Sequence, residues 1–370
     1  MVDDIVVPEA RTNPYLIGHE SAEKDYLQAW ESGRLAHAWL IAGPRGIGKA
    51  TLAYRMARYA LAQKNQAEES DMFGGAPAPK SLAMSAEEPL FRRMVSQGHA
   101  DFRSIERPWA DGKQLKRKTV IGVDDVREIG TFLSMTPSEG GWRAVVIDAA
   151  DEMNTNAANA VLKVLEEPPK RALLFLVAHN ADRLLPTIRS RCRRLDLRPL
   201  TEQQVKALMN RYQPDMKSAD TQALAVLADG SIGRALELDE EGGVDLFRAL
   251  MTLLVDLPRL NITRLHKLSD QVLKGDAFRT LSGLLSWWLA RVIRAGAAGD
   301  LEGLHEIVPG EHELARRLLA AANPAVWAEV WDRINTLARR ADAVNLDRKR
   351  TLMLMLLAIE QTAGAMPSAA

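Results

Sequence analysis

A glycine-rich loop set between an apolar strand and a helix constrains this chain more than any other feature. His37-Ala38-Trp39-Leu40-Ile41-Ala42 leads directly into Gly43-Pro44-Arg45-Gly46-Ile47-Gly48-Lys49-Ala50-Thr51, and a run with helical texture follows from Leu52 to Leu61. Glycines let successive backbone N–H groups converge on a phosphate, the helix start adds positive partial charge, and a lysine at this place reaches the outer phosphates. Gly43, Gly46, Gly48 and Lys49 are therefore the candidate phosphate contacts. An apolar strand ending in an aspartate should supply the metal side of such a site, and Val145-Val146-Ile147-Asp148 fits.

Two parts of that site depart from a working ATPase. The hydroxyl that completes a magnesium shell belongs directly after the lysine, where this chain has Ala50; Thr51 comes one place late. One residue on a helix is a rotation of about 100°, which turns the Thr51 hydroxyl away from the metal. The acidic residue that polarises the attacking water should follow Asp148, and that position is Ala149. Asp151 and Glu152 lie past the strand end and read as capping or charging the next helix. The loop keeps its phosphate contacts, so weak ATP binding without hydrolysis is compatible with it, and no cofactor is required.

The surrounding pattern is α/β. His37 to Ala42, Arg143 to Asp148 and Ala172 to Ala178 are continuous apolar runs, as expected of parallel strands buried on both faces. Residues 64–118 interrupt this pattern with Gly74, Gly75, Pro77 and Pro79 and read as an inserted loop or arm. After Leu200 the β signal stops and leucine-rich helical stripes take over, such as Leu281, Leu284, Leu285, Trp288, Leu289 and Val292, or Val326, Val330, Ile334 and Leu337. These read as core, and the Trp287-Trp288 pair as part of it. Equal numbers of basic and acidic residues, 48 each, leave no overall field for nucleic acid or membrane. The lone Cys192 excludes an internal disulfide and a cysteine-rich zinc site. No apolar stretch nears the ~18 residues of a membrane span, and the N-terminus lacks a signal-peptide pattern, so the expected location is the cytoplasm.

Six ordered segments resemble the clamp-loader branch of AAA+ proteins, and within it the delta-prime type. They are Gly33 to Ala38, Gly43 to Lys49, Val146 to Asn154, Leu162 to Pro169, Leu185 to Cys192 and Gly230 to Leu236. The Leu-Glu-Glu-Pro-Pro and Ser-Arg-Cys stretches, Leu165 to Pro169 and Ser190 to Cys192, are the most specific. Beyond Leu236 only helical texture and Asn345-Leu346-Asp347-Arg348 are similar. The resemblance implies a AAA+ core over residues 1–200, a small helical lid over 201–238 and an all-α collar domain for oligomerisation over 239–370.

The resemblance further implies a subunit of a hetero-pentamer with gamma/tau and delta subunits, meeting the sliding clamp and primed DNA through that complex. Delta-prime subunits have an inactive nucleotide site and offer the Ser-Arg-Cys arginine, here Arg191, to a neighbour's ATP. A rigid, permanently charged guanidinium suits that task. Such a chain is part of a DNA polymerase holoenzyme without polymerase activity of its own and with little or no ATPase. Two departures stand out: many relatives carry a four-cysteine zinc module where residues 64–118 have no cysteine, so no zinc is expected. The arginine with which active relatives sense nucleotide falls at Gly233, with Arg234 one place later.

Two other functions compete. In a gamma/tau-type ATPase, Thr51 and Asp151 would rescue the site through a shifted register. In a DNA-binding module, Lys113, Lys116, Arg117 and Lys118 would contact phosphates together with the arginines near Cys192.

Overall fold

The computed structural model describes residues 9–63, 81–110, 118–271 and 276–364. They form two compact units: Met1–Gln204 with Gly230–Gly233, and Val205–Asp229 with Arg234–Ala370.

The first unit is built on a parallel sheet of β1 (Ala38–Ala42), β2 (Phe102–Glu106), β3 (Arg143–Asp148), β4 (Ala172–Ala178) and β5 (Arg193–Asp196), in the order β2-β3-β4-β1-β5. Every residue of β1 and β4 is buried, as both faces of these inner strands are covered. Alternation along β1 divides the core into two layers. Trp39 and Ile41 join Leu52, Tyr54, Met56 and Phe175 on one face, while Leu40 and Ala42 join Ile147, Val161, Leu165 and Ile188 on the other.

Helices α1 (Glu20–Glu31), α2 (Lys49–Ala62) and α3 (Pro89–Val95) supply the first layer. The second is covered by α4 (Val123–Val126), α5 (Ile129–Ser134), α6 (Thr155–Glu166) and α7 (Pro186–Arg189). Two arginines reinforce the first layer. Arg55 Nε lies 2.6 Å from Glu23 Oε1, and the Arg58 guanidinium stacks 4.0 Å from the Phe91 ring centre.

The three apolar runs are β1, β3 and β4, while β2 and β5 carry no apolar signal. Both are edge strands, and Arg103, Glu106, Arg193 and Arg194 give them the charge that blunts an exposed edge. The loop expected over residues 64–118 is thus corrected over part of its length: it contains α3 and β2, whose Phe102 and Ile105 lie opposite Ala144 and Ile147 of β3. Residues 64–80 and 111–117, with Lys113, Lys116 and Arg117, lie outside the described residues.

Among the described residues the second unit is helical, from α8 (Glu202–Tyr212), which begins at its border, through α9 (Ser218–Leu227), α10 (Ile232–Glu240), α11 (Gly243–Leu254) and α12 (Ile262–Gln271) to α13 (Ala277–Ala298), α14 (Glu311–Ala321), α15 (Pro324–Val344) and α16 (Arg348–Gly364). Leu281, Leu284, Leu285, Trp288, Leu289 and Val292 of α13 are buried. On α15 the buried line runs through Trp327, Val330, Ile334 and Ala341, whereas Val326 is exposed. Trp327 takes the inward place, its indole N–H donating to the Leu318 carbonyl at 2.8 Å. Among the described residues no helix is long and apolar enough to cross a membrane.

Candidate nucleotide site and outward arginine

The site lies at the carboxyl ends of β1, β3 and β4, where open parallel sheets place ligands. Ala42 of β1 and Asp148 of β3 flank β4 opposite Ala178 and Val177, so loop and aspartate stand two strand spacings apart, roughly 10 Å. Gly48 starts α2 with φ of 101°, a left-handed conformation that a side chain would strain. At Gly46, φ is 75° and an added Cβ would come within 2.3 Å of Ser231 Oγ. Gly43 is pressed against the Leu197 carbonyl, which would lie 2.5 Å from an added Cβ.

Lys49 is buried at the first position of α2, its Nζ donating to the Pro44 carbonyl. Burial lowers its pKa to about 8, against the opposing pull of the Asp148 and Asp151 carboxylates. Thr51 is buried within the first turn of the same helix, and Ala50 packs against the first core layer. Neighbouring loop carbonyls are also occupied by donors from this unit. Ser231 donates to Arg45 O at 2.8 Å, the Gly233 N–H to Gly46 O at 2.9 Å, and His19 Nε2 lies 2.6 Å from Ile47 O, so that nitrogen carries the proton.

Gly233 explains its own identity. An added Cβ there would sit 2.9 Å from Gly46 Cα, so the place at which the resemblance puts a nucleotide-sensing arginine has no room for any side chain. Arg234, the next residue, lies over the Trp287 ring with its charge disfavoured by burial.

The acidic residues past β3 have other tasks than helix capping. Asp151 accepts the backbone N–H groups of His179 at 3.0 Å and Asn180 at 2.8 Å, tying the end of β4 to the end of β3. Glu152 pairs with Arg107 at 2.7 Å. The cap of α6 is Asn154, whose side chain accepts the Ala157 N–H at 2.9 Å. Asn is a strong N-cap in its own right, so the reading of Asp151 and Glu152 as caps is corrected. Ala149 is buried beside them. His179 is held neutral, its pKa lowered to about 4 by burial first and then by the charge on Lys49.

Arg191 lies on the outside of the same unit. Ser190, at the end of α7, donates to the Thr187 carbonyl, while Cys192 packs against the second core layer and burial raises its thiol pKa to about 12. This thiol is unfit as a nucleophile near neutral pH. Between these two anchors Arg191 Nη1 donates to the Thr187 carbonyl at 3.0 Å and Nη2 lies 3.0 Å from Glu166 Oε1. Other arginines nearby are engaged within the chain: Arg189 with Asp182, Arg194 with Asp196, and Arg193 over Trp39. Sequence reasoning missed Glu166 and the donors to the loop carbonyls. Glu166 and Ser231 both lie in segments that carry the family resemblance, but nothing in the order of residues reveals which atoms meet.

A glycine loop between strand and helix, with an aspartate ending the strand two places away, defines the nucleotide-binding core of an AAA+ P-loop fold. Comparison narrows this. Residues 18–201 match the family described as DNA polymerase III, delta subunit. DNA polymerase III subunit delta' of Pseudomonas aeruginosa is 36% identical over 157 residues, 42% of each chain. The Escherichia coli delta' subunit is 33% identical over 210 residues, 57% of this chain and 56% of the relative. Subunit tau of Bacillus subtilis is 26% identical over 279 residues, 73% of this chain and 45% of the relative. The chain spans about half the length of the curated relatives it matches. Over residues 18–201, about half of its length, the chain is thus similar to DNA polymerase III subunits of the delta type.

Proposed function

We propose that this chain is a delta-prime-type clamp-loader subunit that does not hydrolyse ATP itself and supplies Arg191 to the ATP of a neighbouring subunit. The observation that carries the first half is the engagement of Asp151. With Ala149 in the place of the water-orienting carboxylate, Asp151 is the nearest substitute, and both its oxygens are occupied by backbone N–H groups. The chain keeps residues suited to a phosphate, namely Gly43, Gly46, Gly48 and Lys49. It lacks the hydroxyl at position 50 and the carboxylate at position 149, so the set does not fit the magnesium and water arrangement of hydrolysis.

Arg191 suits the second half because it is partly exposed, set between two anchored neighbours, and presents a planar fork that matches phosphate oxygens. In this reading the chain sits in a cytoplasmic hetero-pentamer with gamma/tau and delta subunits, which acts on the sliding clamp and primed DNA. It needs no cofactor of its own and holds no zinc; ATP binds weakly or not at all.

The similarity to a tau subunit over 73% of the chain gives the rival reading, an active gamma/tau-type ATPase, its standing. ATP turnover by the purified chain separates the two, since ordinary enzymes turn over at ~1–10³ s⁻¹ and the proposed function predicts none. The trans-acting role is tested by reconstituting the complex with Arg191→Ala, confirming assembly, and measuring ATPase and clamp loading at saturating ATP. Loss of an arginine finger costs about 10³ or more at the site it serves. Total ATPase should fall by that site's share and clamp loading by more. Wild-type rates for both would remove the trans-acting role.

A further inference from the structure

The two most specific stretches of the sequence meet at one ion pair. Glu166 belongs to the Leu-Glu-Glu-Pro-Pro stretch and Arg191 to Ser-Arg-Cys, and their side chains lie 3.0 Å apart. Glu166 is the last residue of α6, a place where the partial negative charge of the helix end disfavours a carboxylate. Helix formation therefore does not account for this residue, whereas the guanidinium opposite does. With Nη1 on the Thr187 carbonyl and Nη2 on Glu166, both ends of the fork are held by this chain's own acceptors.

We propose that Glu166 is a positioning residue that parks Arg191, holding it against its own chain until a neighbour's nucleotide comes within reach. The proposal rests on the trans-acting reading of Arg191. The pair is open to solvent, with 36% of the arginine and 51% of the glutamate side chain exposed, so it is weak and easily exchanged. A triphosphate carries several negative charges against one on Glu166, and it wins when the interface closes. Beyond a Debye length, about 8 Å at physiological salt, its pull is screened and the carboxylate keeps the arginine. Engagement of the finger thus depends on how tightly the interface is shut.

The test uses the reconstituted complex carrying wild-type chain, Glu166→Gln, Arg191→Ala or both, each checked for assembly by mass. ATPase is measured at saturating ATP, first without clamp and DNA and then with both. Glu166→Gln keeps the shape and removes the charge, so it should raise unstimulated turnover at the site Arg191 serves about two- to five-fold, the population shift expected from freeing a weak pair, and the total unstimulated rate by that site's share of the gain. The stimulated rate should be unchanged, and the gain should shrink as salt is raised. In the Arg191→Ala background the gain should vanish. An unstimulated rate that stays the same or falls would overturn the parking role, as would a gain that persists without Arg191. If Arg191→Ala itself has wild-type rates, the trans-acting reading fails first and takes this proposal with it. Glu166→Ala serves as a second variant should the glutamine form assemble poorly.

Discussion

The Asp151 carboxylate accepts the backbone N–H of His179 across the ends of two adjacent strands, at 3.0 Å, and that of Asn180 beside it. A carboxylate with two charge-assisted hydrogen bonds to backbone is a structural tie. Asp151→Ala should therefore lower stability by about 1–3 kcal/mol, the range for leaving buried or partly buried donors unpaired. Denaturant unfolding measures it. A change below 0.5 kcal/mol, the scale of an ordinary surface substitution, would show that the tie is not structural.

His179 gives a pH signature. Its pKa is about 4 in the folded chain and about 6.5 in the unfolded chain, so the unfolded state takes up more protons between these values. The neutral imidazole contributes fully above pH 6.5, and that contribution is lost as pH falls toward 4. Stability should fall by on the order of 1–3 kcal/mol across that window. His179→Gln should flatten this part of the profile, measured by denaturant midpoints from pH 7 to pH 4. An identical slope in the variant would assign the effect to other groups.

Gly233 is a test of close packing. An arginine placed there, as in nucleotide-sensing relatives, must push its Cβ into the Gly46 backbone, 2.9 Å away. Overpacking of this kind costs about 1–3 kcal/mol. Gly233→Ala and Gly233→Arg should both lower the melting temperature, and neither should create ATP turnover. A stable, ATP-hydrolysing Gly233→Arg chain would show that the missing arginine alone silences the site.

Metal content follows from the sequence. A tetrahedral structural zinc site in residues 64–118 requires thiolates, and that segment has none. Elemental analysis of the purified chain should give far less than one zinc per chain; a stoichiometric value would contradict the expectation.

Legibility in the sequence follows burial. Trp39, Ile41, Val145, Ile147, Phe175 and Val177 announce their strands because the middles of inner parallel strands are covered on both faces and filled by apolar side chains. The edge strands stay hidden for the opposite reason. Arg103-Ser104-Ile105-Glu106 pairs on one side only, so its residues read as loop. In the site, Lys49 and Asp148 are legible because phosphate chemistry demands those residue types after a strand. Glu166 and Ser231 are not, because the partners named for them, Arg191 and the Arg45 carbonyl, come from distant segments. Asp151 was misplaced for a related reason: next to a helix start an acidic residue reads as a cap, and only the fold brings the ends of β3 and β4 together to claim it.

The strand order has a consequence for how the chain is made. β1 emerges first, yet both its neighbours, β4 and β5, are encoded far downstream; Ala38 pairs with Leu174 and Trp39 with Arg193. With roughly 130 residues between β1 and β4, and synthesis at ~5–20 residues per second, β1 waits on the order of ten seconds for its first partner. During that time Trp39, Leu40 and Ile41 have no sheet to join. A nascent chain stopped before Ala172 presents them to whatever binds exposed apolar segments at the ribosome.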